Sequence, residues 1–350
     1  MRLSGRKKTV FLLLVLCCAF AGVFLYSFFH EEEKVLPSVE RNFPVMGTVC
    51  SFRLVGEAGR SPEEMALAAD AVQESFREVE RICSRFDEKS ELSSLNRNMH
   101  RSPVKVSPLL WGILVEAKFF HSYTSGAFDV TIAPLMGLWG FHRKKALLPS
   151  REAIARTKAE TGLEKVVFGE KEHSLFSPSG KLSFDLGGIA KGFALDHAAE
   201  TAAKHGIRRG LLDLGGNLRS LELPPGNGKK NHIIGIRDPR GGNFSVEKIE
   251  LPNGMSIATS GNYERYVLID GIRYTHIIDP RTGSPVSGML SSTVLTRGSM
   301  RSDALSTSVF ILGESFAEKV CSDFPETSVL LFREEKGKIL RRSFGTAFRK

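Results

Sequence analysis
The sequence predicts an α+β fold in which largely antiparallel sheets are flanked by helices. Two observations carry this reading. Helical periodicity is concentrated before Gly206, whereas beyond it short β-rich runs follow one another, several separated by tight turns. There is also no internal repeat and no low-complexity stretch, which excludes a solenoid or a disordered chain. With 350 residues, 42% of them hydrophobic, the chain has material for a sizeable core. The expected organisation is an anchor and tether over residues 1–34 and a folded body over 35–350.

In chain order, Arg2, Arg6, Lys7 and Lys8 precede an apolar run from Val10 to Phe29 broken at Ser27. That run has about the ~20 residues a membrane-spanning helix needs. Positive charge before it places the N-terminus inside and the body outside, on the outer face of a bacterial inner membrane. Ala19-Phe-Ala21 offers a peptidase site, but the apolar run continues past it and favours a retained single-pass anchor. A lipoprotein alternative attaches to Cys17 or Cys18, with a bulky Leu16 before the first. Residues 31–42 are charged, contain Pro37 and read as a tether, and Val45–Leu54 as a first strand. Met65, Ala69, Val72, Phe76, Val79 and Phe86 recur at helical spacing and predict a helix from Pro62 to about Arg85 with these side chains in the core. Ser107-Pro108 is an N-cap and N1 pair opening a second helix, and Ser150 caps a third through Ala155. Lys181–Leu186 reads as a short strand, then a helix carries Phe193, Ala194, His197, Ala198 and Ala202. Later strands are expected at 210–214, 232–237, 267–269, 274–278 and 291–295, with a final hairpin over 328–332 and 339–343.

Charge and cysteine usage narrow the function classes. Net charge is +9, of which the first 34 residues supply +2. The remaining surplus is dispersed, with only short pairs such as Lys229-Lys230 and Arg341-Arg342, the latter expected on a solvated strand face. No nucleic-acid partner is expected from so scattered a pattern, although an acidic ligand such as a pyrophosphate is compatible with it. Cys50, Cys83 and Cys321 are scattered and odd in number once Cys17 and Cys18 are set aside, which excludes a disulfide framework or a zinc spacing. Gly226-Asn-Gly-Lys-Lys230 is a loop without Walker spacing, and no Gly-x-Gly-x-x-Gly follows a strand.

The most informative run is Asp185-Leu-Gly-Gly-Ile-Ala-Lys-Gly192. A carboxylate, two side-chain-free residues and a helix start let backbone approach a ligand and present N–H groups to an anion, with Lys191 adding positive charge. Further runs are Gly126-Ala-Phe-Asp-Val-Thr-Ile-Ala-Pro134 with Trp139-Gly140-Phe141, Tyr274-Thr-His-Ile-Ile-Asp-Pro-Arg-Thr-Gly283, and Ser302-Asp-Ala-Leu-Ser-Thr307 opening a helix that ends at Gly313. On that helix Asp303 and Thr307 share a face, which suits either a hard cation or simple backbone capping.

Together with Met46-Gly-Thr48, Ser84-Arg-Phe-Asp87, Ser94-Leu-Asn96 and Ala258-Thr-Ser-Gly261, these runs resemble the ApbE family in order along residues 40–335. Members are FAD:protein FMN transferases, and the resemblance implies an ApbE, T-fold-like body. The implied reaction moves FMN from FAD to a Thr or Ser hydroxyl of an acceptor, with AMP leaving. The implied partners are FAD as substrate and acceptor redox proteins outside the cytoplasm. The implied metal is Mg²⁺, held by Asp303 and Thr307 with the Gly188 carbonyl and help from Ser306. His276 is the expected general base, because an imidazole near pKa ~6.5 accepts a hydroxyl proton at neutral pH. In a regular strand His276 would face away from Asp279, so Asp279 and Arg281-Thr-Gly283 are expected to shape a turn.

Met46, Phe86, Ala127, Phe128, Asp129, Asp185, Lys191 and Ile277 match positions of the family's FAD contacts, with Thr259 and Ser260 as further donors. For Asp129 and Asp185 the alternative is turn capping. Members often carry Tyr after the Lys-Gly step, where this chain has Phe193 on the helix's apolar side. Two rival functions remain: FAD hydrolysis to FMN and AMP in the same site, and a membrane-tethered flavin-binding or electron-transfer protein.

Overall fold
The computed structural model describes residues 36–141, 148–223, 231–242, 244–263 and 265–348. The expected anchor over residues 1–34 and the loop at 226–230, with its lysine pair, lie outside these. Among the described residues no helix is long and apolar enough to cross a membrane.

The first folded element is a hairpin, where the sequence predicts a tether and one strand. Strand β1 (Ser38–Val45) pairs antiparallel with β2 (Thr48–Val55), and Val45 opposite Thr48 leaves only Met46-Gly47 as the turn. Both turn residues have positive φ, 52° and 68°, the geometry that a two-residue type I′ hairpin requires. The charges and Pro37 conceal β1 because it is an edge strand with alternate residues in solvent.

Helix α1 (Pro62–Cys83) opens with a capping box between Ser61 and Glu64 and buries Met65, Ala69, Val72, Phe76 and Val79 as predicted. It stops before Phe86, which is 65% exposed and is no part of that stripe. Next come α2 (Glu91–Asn98), β3 (Val104–Lys105), α3 (Pro108–Tyr123), α4 (Ala133–Trp139), α5 (Arg151–Lys158), β4 (Val167–Gly169) and β5 (Ser174–Phe176). Ser107 and Ser150 cap α3 and α5 as expected. Residues 181–186 are not a strand. Their single bridge is Ser183 to Ile132, and the Asn96 amide clasps Phe184 through both its N–H (2.7 Å) and its carbonyl (3.1 Å). The Ser94-Leu-Asn96 motif therefore fixes the approach to the Gly187-Gly188 turn.

After that turn come α6 (Ala190–Lys204), β6 (Arg209–Leu214), β7 (Asn217–Ser220), β8 (Asn231–Arg237), β9 (Ser245–Pro252) and β10 (Met255–Gly261). The chain continues through β11 (Tyr266–Ile269), β12 (Ile272–Thr275), β13 (Ile278–Asp279), β14 (Ser284–Pro285) and β15 (Met289–Arg297). It closes with α7 (Ser299–Leu312), α8 (Glu314–Asp323), β16 (Ser328–Glu335) and β17 (Lys338–Phe344). An eight-stranded sheet runs β1-β2-β6-β7-β10-β15-β16-β17, with every neighbouring pair antiparallel.

Helices α1, α6 and α7 share the main core with residues of β2, β6, β15 and β16, including Phe52, Leu212, Val294 and Leu331. The β8–β9 hairpin and Phe348 bury a second apolar layer with Ile257, Leu295 and Phe332 of β10, β15 and β16. Strand β15 is accordingly buried from Met289 to Thr296. A third, small cluster joins Leu135, Met136 and Trp139 of α4 to Ile269 and Ile278. Arg341 departs from the expected solvated strand face: it is three-quarters buried and holds Glu247 through two bonds of 2.8 and 2.9 Å.

Candidate active site
The glycines of the 185–192 run serve close approach, since neither Gly187 nor Gly188 has positive φ. A Cβ on Gly192 would stand 2.2 Å from the Ser299 carbonyl oxygen, so only glycine lets α6 cross α7 at this point. A Cβ on Gly188 would stand 3.3 Å from Thr307 Oγ1, which brings the turn backbone beside that hydroxyl. Asp196 of α6 accepts from the N–H groups of Ser299 and Met300 at 2.8 and 2.9 Å and caps the start of α7. The two helices are thus locked in register, and with them Lys191, Asp303 and Thr307.

At this crossing the sequence expectation of a ligand anion at the α6 N-terminus meets a different fact. The Gly192 N–H donates to Asp303 Oδ2 at 2.9 Å, so a protein carboxylate takes that place. Asn217 Nδ2 donates to Asp303 Oδ1 at 2.9 Å. Asp303 is 4% exposed, and burial pushes its carboxyl up, against Lys191 and these two donors. Each carboxylate oxygen keeps a second lone pair. Ser260 Oγ lies 3.3 Å from Thr307 Oγ1 and 2.9 Å from Ser306 Oγ. This corner offers oxygen donors only, around a carboxylate that burial leaves short of positive charge, and it fits a hard divalent cation such as Mg²⁺. Asp303, Thr307, Gly188 and Ser260 line the cavity described below, whereas Ser306 does not. Its hydroxyl donates to the Asp303 carbonyl at 2.8 Å, so it stands behind the corner.

The run expected as one strand over 274–278 is broken at His276. Strand β12 ends at Thr275, β13 starts at Ile278, and both His276 and Ile277 line the cavity. His276 N–H and Nδ1 lie 3.2 and 2.9 Å from the Arg265 carbonyl oxygen. A carbonyl only accepts, so Nδ1 carries the proton and Nε2 the lone pair. Burial, then the charges of Arg265 and Lys191, push this imidazole down to about 4. The turn beyond is built as expected: Asp279 accepts from Arg281 N and Nε at 2.9 Å each, and Gly283 N–H from the far side closes on the Asp279 carbonyl. Trp139 Nε1 donates to the Gly283 carbonyl at 2.9 Å, and Lys158 Nζ to that of Arg281 at 2.8 Å. Helices α4 and α5 thereby hold the loop that presents His276.

A cavity of about 510 Å³ joins these parts, within the range typical of cofactor sites. Met46, Phe86, Ala127, Phe128, Ile277 and Lys191 lie on its wall. Met46 N–H is fixed by Glu80 Oε1 at 2.6 Å, which holds the strained hairpin turn over the cavity. Asp185 lines the cavity, but its oxygens accept from Arg85 Nη1 and Gly187 N at 2.9 Å each. Asp129 accepts from Thr131 N and Oγ1 at 2.7 Å and from Leu163 N at 3.2 Å. Both aspartates thus cap turns while lining the wall. Thr259 also lines it, with its hydroxyl 2.9 Å from Thr293 Oγ1. His121 lies 3.4 Å from Asp129 through Nδ1 and 3.8 Å from Glu164 through Nε2. One ligand atom from each of His121, Asp129 and Glu164 lies within 4.8 Å of the others.

The ApbE family model matches residues 46–331. The chain belongs to the ApbE family. A FAD:protein FMN transferase of Vibrio cholerae is 32% identical over 288 residues, 81% of this chain and 84% of that protein. One of Haemophilus influenzae is 32% identical over 327 residues, 92% of each. The solved flavin transferase ApbE from Vibrio cholerae has a TM-score of 0.77 at 29% identity, covering 88% of this chain and 97% of that one. An ApbE protein from Thermotoga maritima has a TM-score of 0.76 at 34% identity, covering 87% and 97%.

Sequence reasoning missed four residues of this ApbE site: Glu80, Arg85, Asn217 and Arg265. Arg85 sits inside a run already singled out, and Gly215-Gly216 before Asn217 marks a tight turn beside the core. Glu80 and Arg265 carry no local signal, because their partners lie 34 and 11 residues away. Cys50 and Cys83 are buried, and burial pushes their thiols up to about 12.

Proposed function
We propose that this chain is a Mg²⁺-dependent FAD:protein FMN transferase that forms a phosphoester on a Thr or Ser of an acceptor protein and releases AMP. The observation that carries the reading is His276, with Nδ1 anchored to the Arg265 carbonyl, on the same cavity wall as the Asp303–Thr307 corner. In this reading the acceptor hydroxyl gives its proton to Nε2 as its oxygen bonds to the FMN phosphorus. The P–O bond to the adenylate breaks, and AMP leaves with the electron pair. A cation held by Asp303, Thr307 and the Gly188 carbonyl would neutralise charge on the pyrophosphate. Apolar walls from Met46, Phe128 and Ile277 suit the isoalloxazine, and Lys191 suits a phosphate.

The acceptors are redox proteins outside the cytoplasm, met from a membrane anchor at residues 10–29. The test incubates the full chain in detergent with FAD, Mg²⁺ and a candidate acceptor, reading acceptor mass and AMP together. The expected result is an FMN-sized gain with one AMP per label. AMP without label identifies a hydrolase, and neither signal leaves only a flavin-binding protein.

A further inference from the structure
The strongest unassigned feature of the cavity is the cation at its mouth. Arg265 lines the cavity, and its residue is exposed. Its Nη2 stands 3.5 Å from the position a Cβ on Gly47 would take, so the guanidinium reaches from the root of β11 to the β1–β2 turn. Among the described residues this guanidinium has no hydrogen bond and no ion pair, whereas Arg85 on the same wall is committed to Asp185. Its charge is felt at the His276 ring, which its own carbonyl holds.

The chemistry of the transfer then constrains where phosphorus must sit. A base acts within about 3 Å of the hydroxyl oxygen, and that oxygen within about 3.5 Å of the phosphorus it attacks. In the transferase reading the reacting phosphate therefore lies in the neighbourhood of His276 Nε2, on the ring that the charge of Arg265 reaches within the same cavity. A planar fork of donors matches phosphate oxygens in two-point contact, which an ammonium does not. Resting on the transferase reading, we propose that Arg265 is a phosphate-binding residue of the transfer, its guanidinium gripping the FAD pyrophosphate while its carbonyl orients the base.

The inference goes beyond charge at a rim because it separates phosphate from flavin. The test measures affinity for FAD and for riboflavin, which lacks phosphate, by flavin fluorescence in the full-length wild type, Arg265→Ala and Arg265→Lys, alongside kcat for AMP release. Arg265→Ala is expected to weaken FAD at least ~10-fold, leave riboflavin within ~2-fold and lower kcat ~10²-fold. Arg265→Lys is expected to recover part of the affinity but less of kcat, because it returns charge without the fork. Equal losses for FAD and riboflavin would make Arg265 a structural rim residue and overturn the proposal, as would an Arg265→Ala protein with wild-type FAD affinity. A wild type that binds FAD but neither labels an acceptor nor releases AMP would sink the transferase reading instead. The two affinity measurements would still decide whether Arg265 grips phosphate.

Discussion
At the residue scale the structure gives a lone histidine one fixed tautomer, with Nδ1 held by the Arg265 carbonyl. An unperturbed imidazole would be half protonated near 6.5, but burial and two cations push His276 down to about 4. The unfolded chain takes up this proton at higher pH than the folded one, so stability falls as pH drops from about 6.5 toward 4. Replacing His276 with Gln should flatten that part of a curve of denaturation midpoint against pH. The His-dependent acid limb of kcat/KM for AMP release should lie near 4 instead of 6.5. A limb near 6.5 would mean that the ring is solvated in the free enzyme. The residues of this site were legible in the sequence as types within runs. Their partners were not: the Arg265 carbonyl, Asn217 and Glu80 come to His276, Asp303 and Met46 only through tertiary contact.

At the scale of elements, the site depends on one helix crossing. Gly192→Ala would drive a methyl into the Ser299 carbonyl, 2.2 Å away, and into the backbone of Met300 at 2.6 Å. Separating α6 from α7 should cost about 1–3 kcal/mol or more and displace Asp303, whose carboxylate the Gly192 N–H holds. Chemical denaturation checks the stability loss, and AMP release should fall with it. Helices α1, α3 and α5 were legible because a polar cap precedes a helical stretch, strongly periodic in α1. Residues 181–186 and 274–278 were misread for a shared reason. Their alternation suits a strand, yet a side-chain clasp by Asn96 replaces sheet pairing at Phe184, and a carbonyl clasp by Arg265 interrupts it at His276, between β12 and β13. The Arg265 clasp lies on the cavity wall, and the Asn96 clasp sits directly before the wall residues Asp185 and Leu186, so local pattern yields to the needs of the site.

At the scale of the whole molecule, one antiparallel sheet packs helices α1, α6 and α7 against one face and the β8–β9 hairpin against the other. The α+β class was legible from segregated helices and tight strand pairs, but the strand order was not, since β7 pairs with β10 across two intervening strands. The membrane anchor is a separate expectation from residues 10–29. In a bacterial host the full chain should sediment with membranes and resist salt washing, and a form without residues 1–30 should not. Recovery of the full chain in the soluble fraction would remove the anchor from the account. The central claim is that His276 and the Asp303 corner act on bound FAD, and AMP release measured together with FAD binding tests it most directly. His276→Ala should lower release about 10²–10⁴-fold, and Asp303→Asn should abolish its Mg²⁺ dependence, while both still bind FAD. Release at the wild-type rate from either variant would contradict the account.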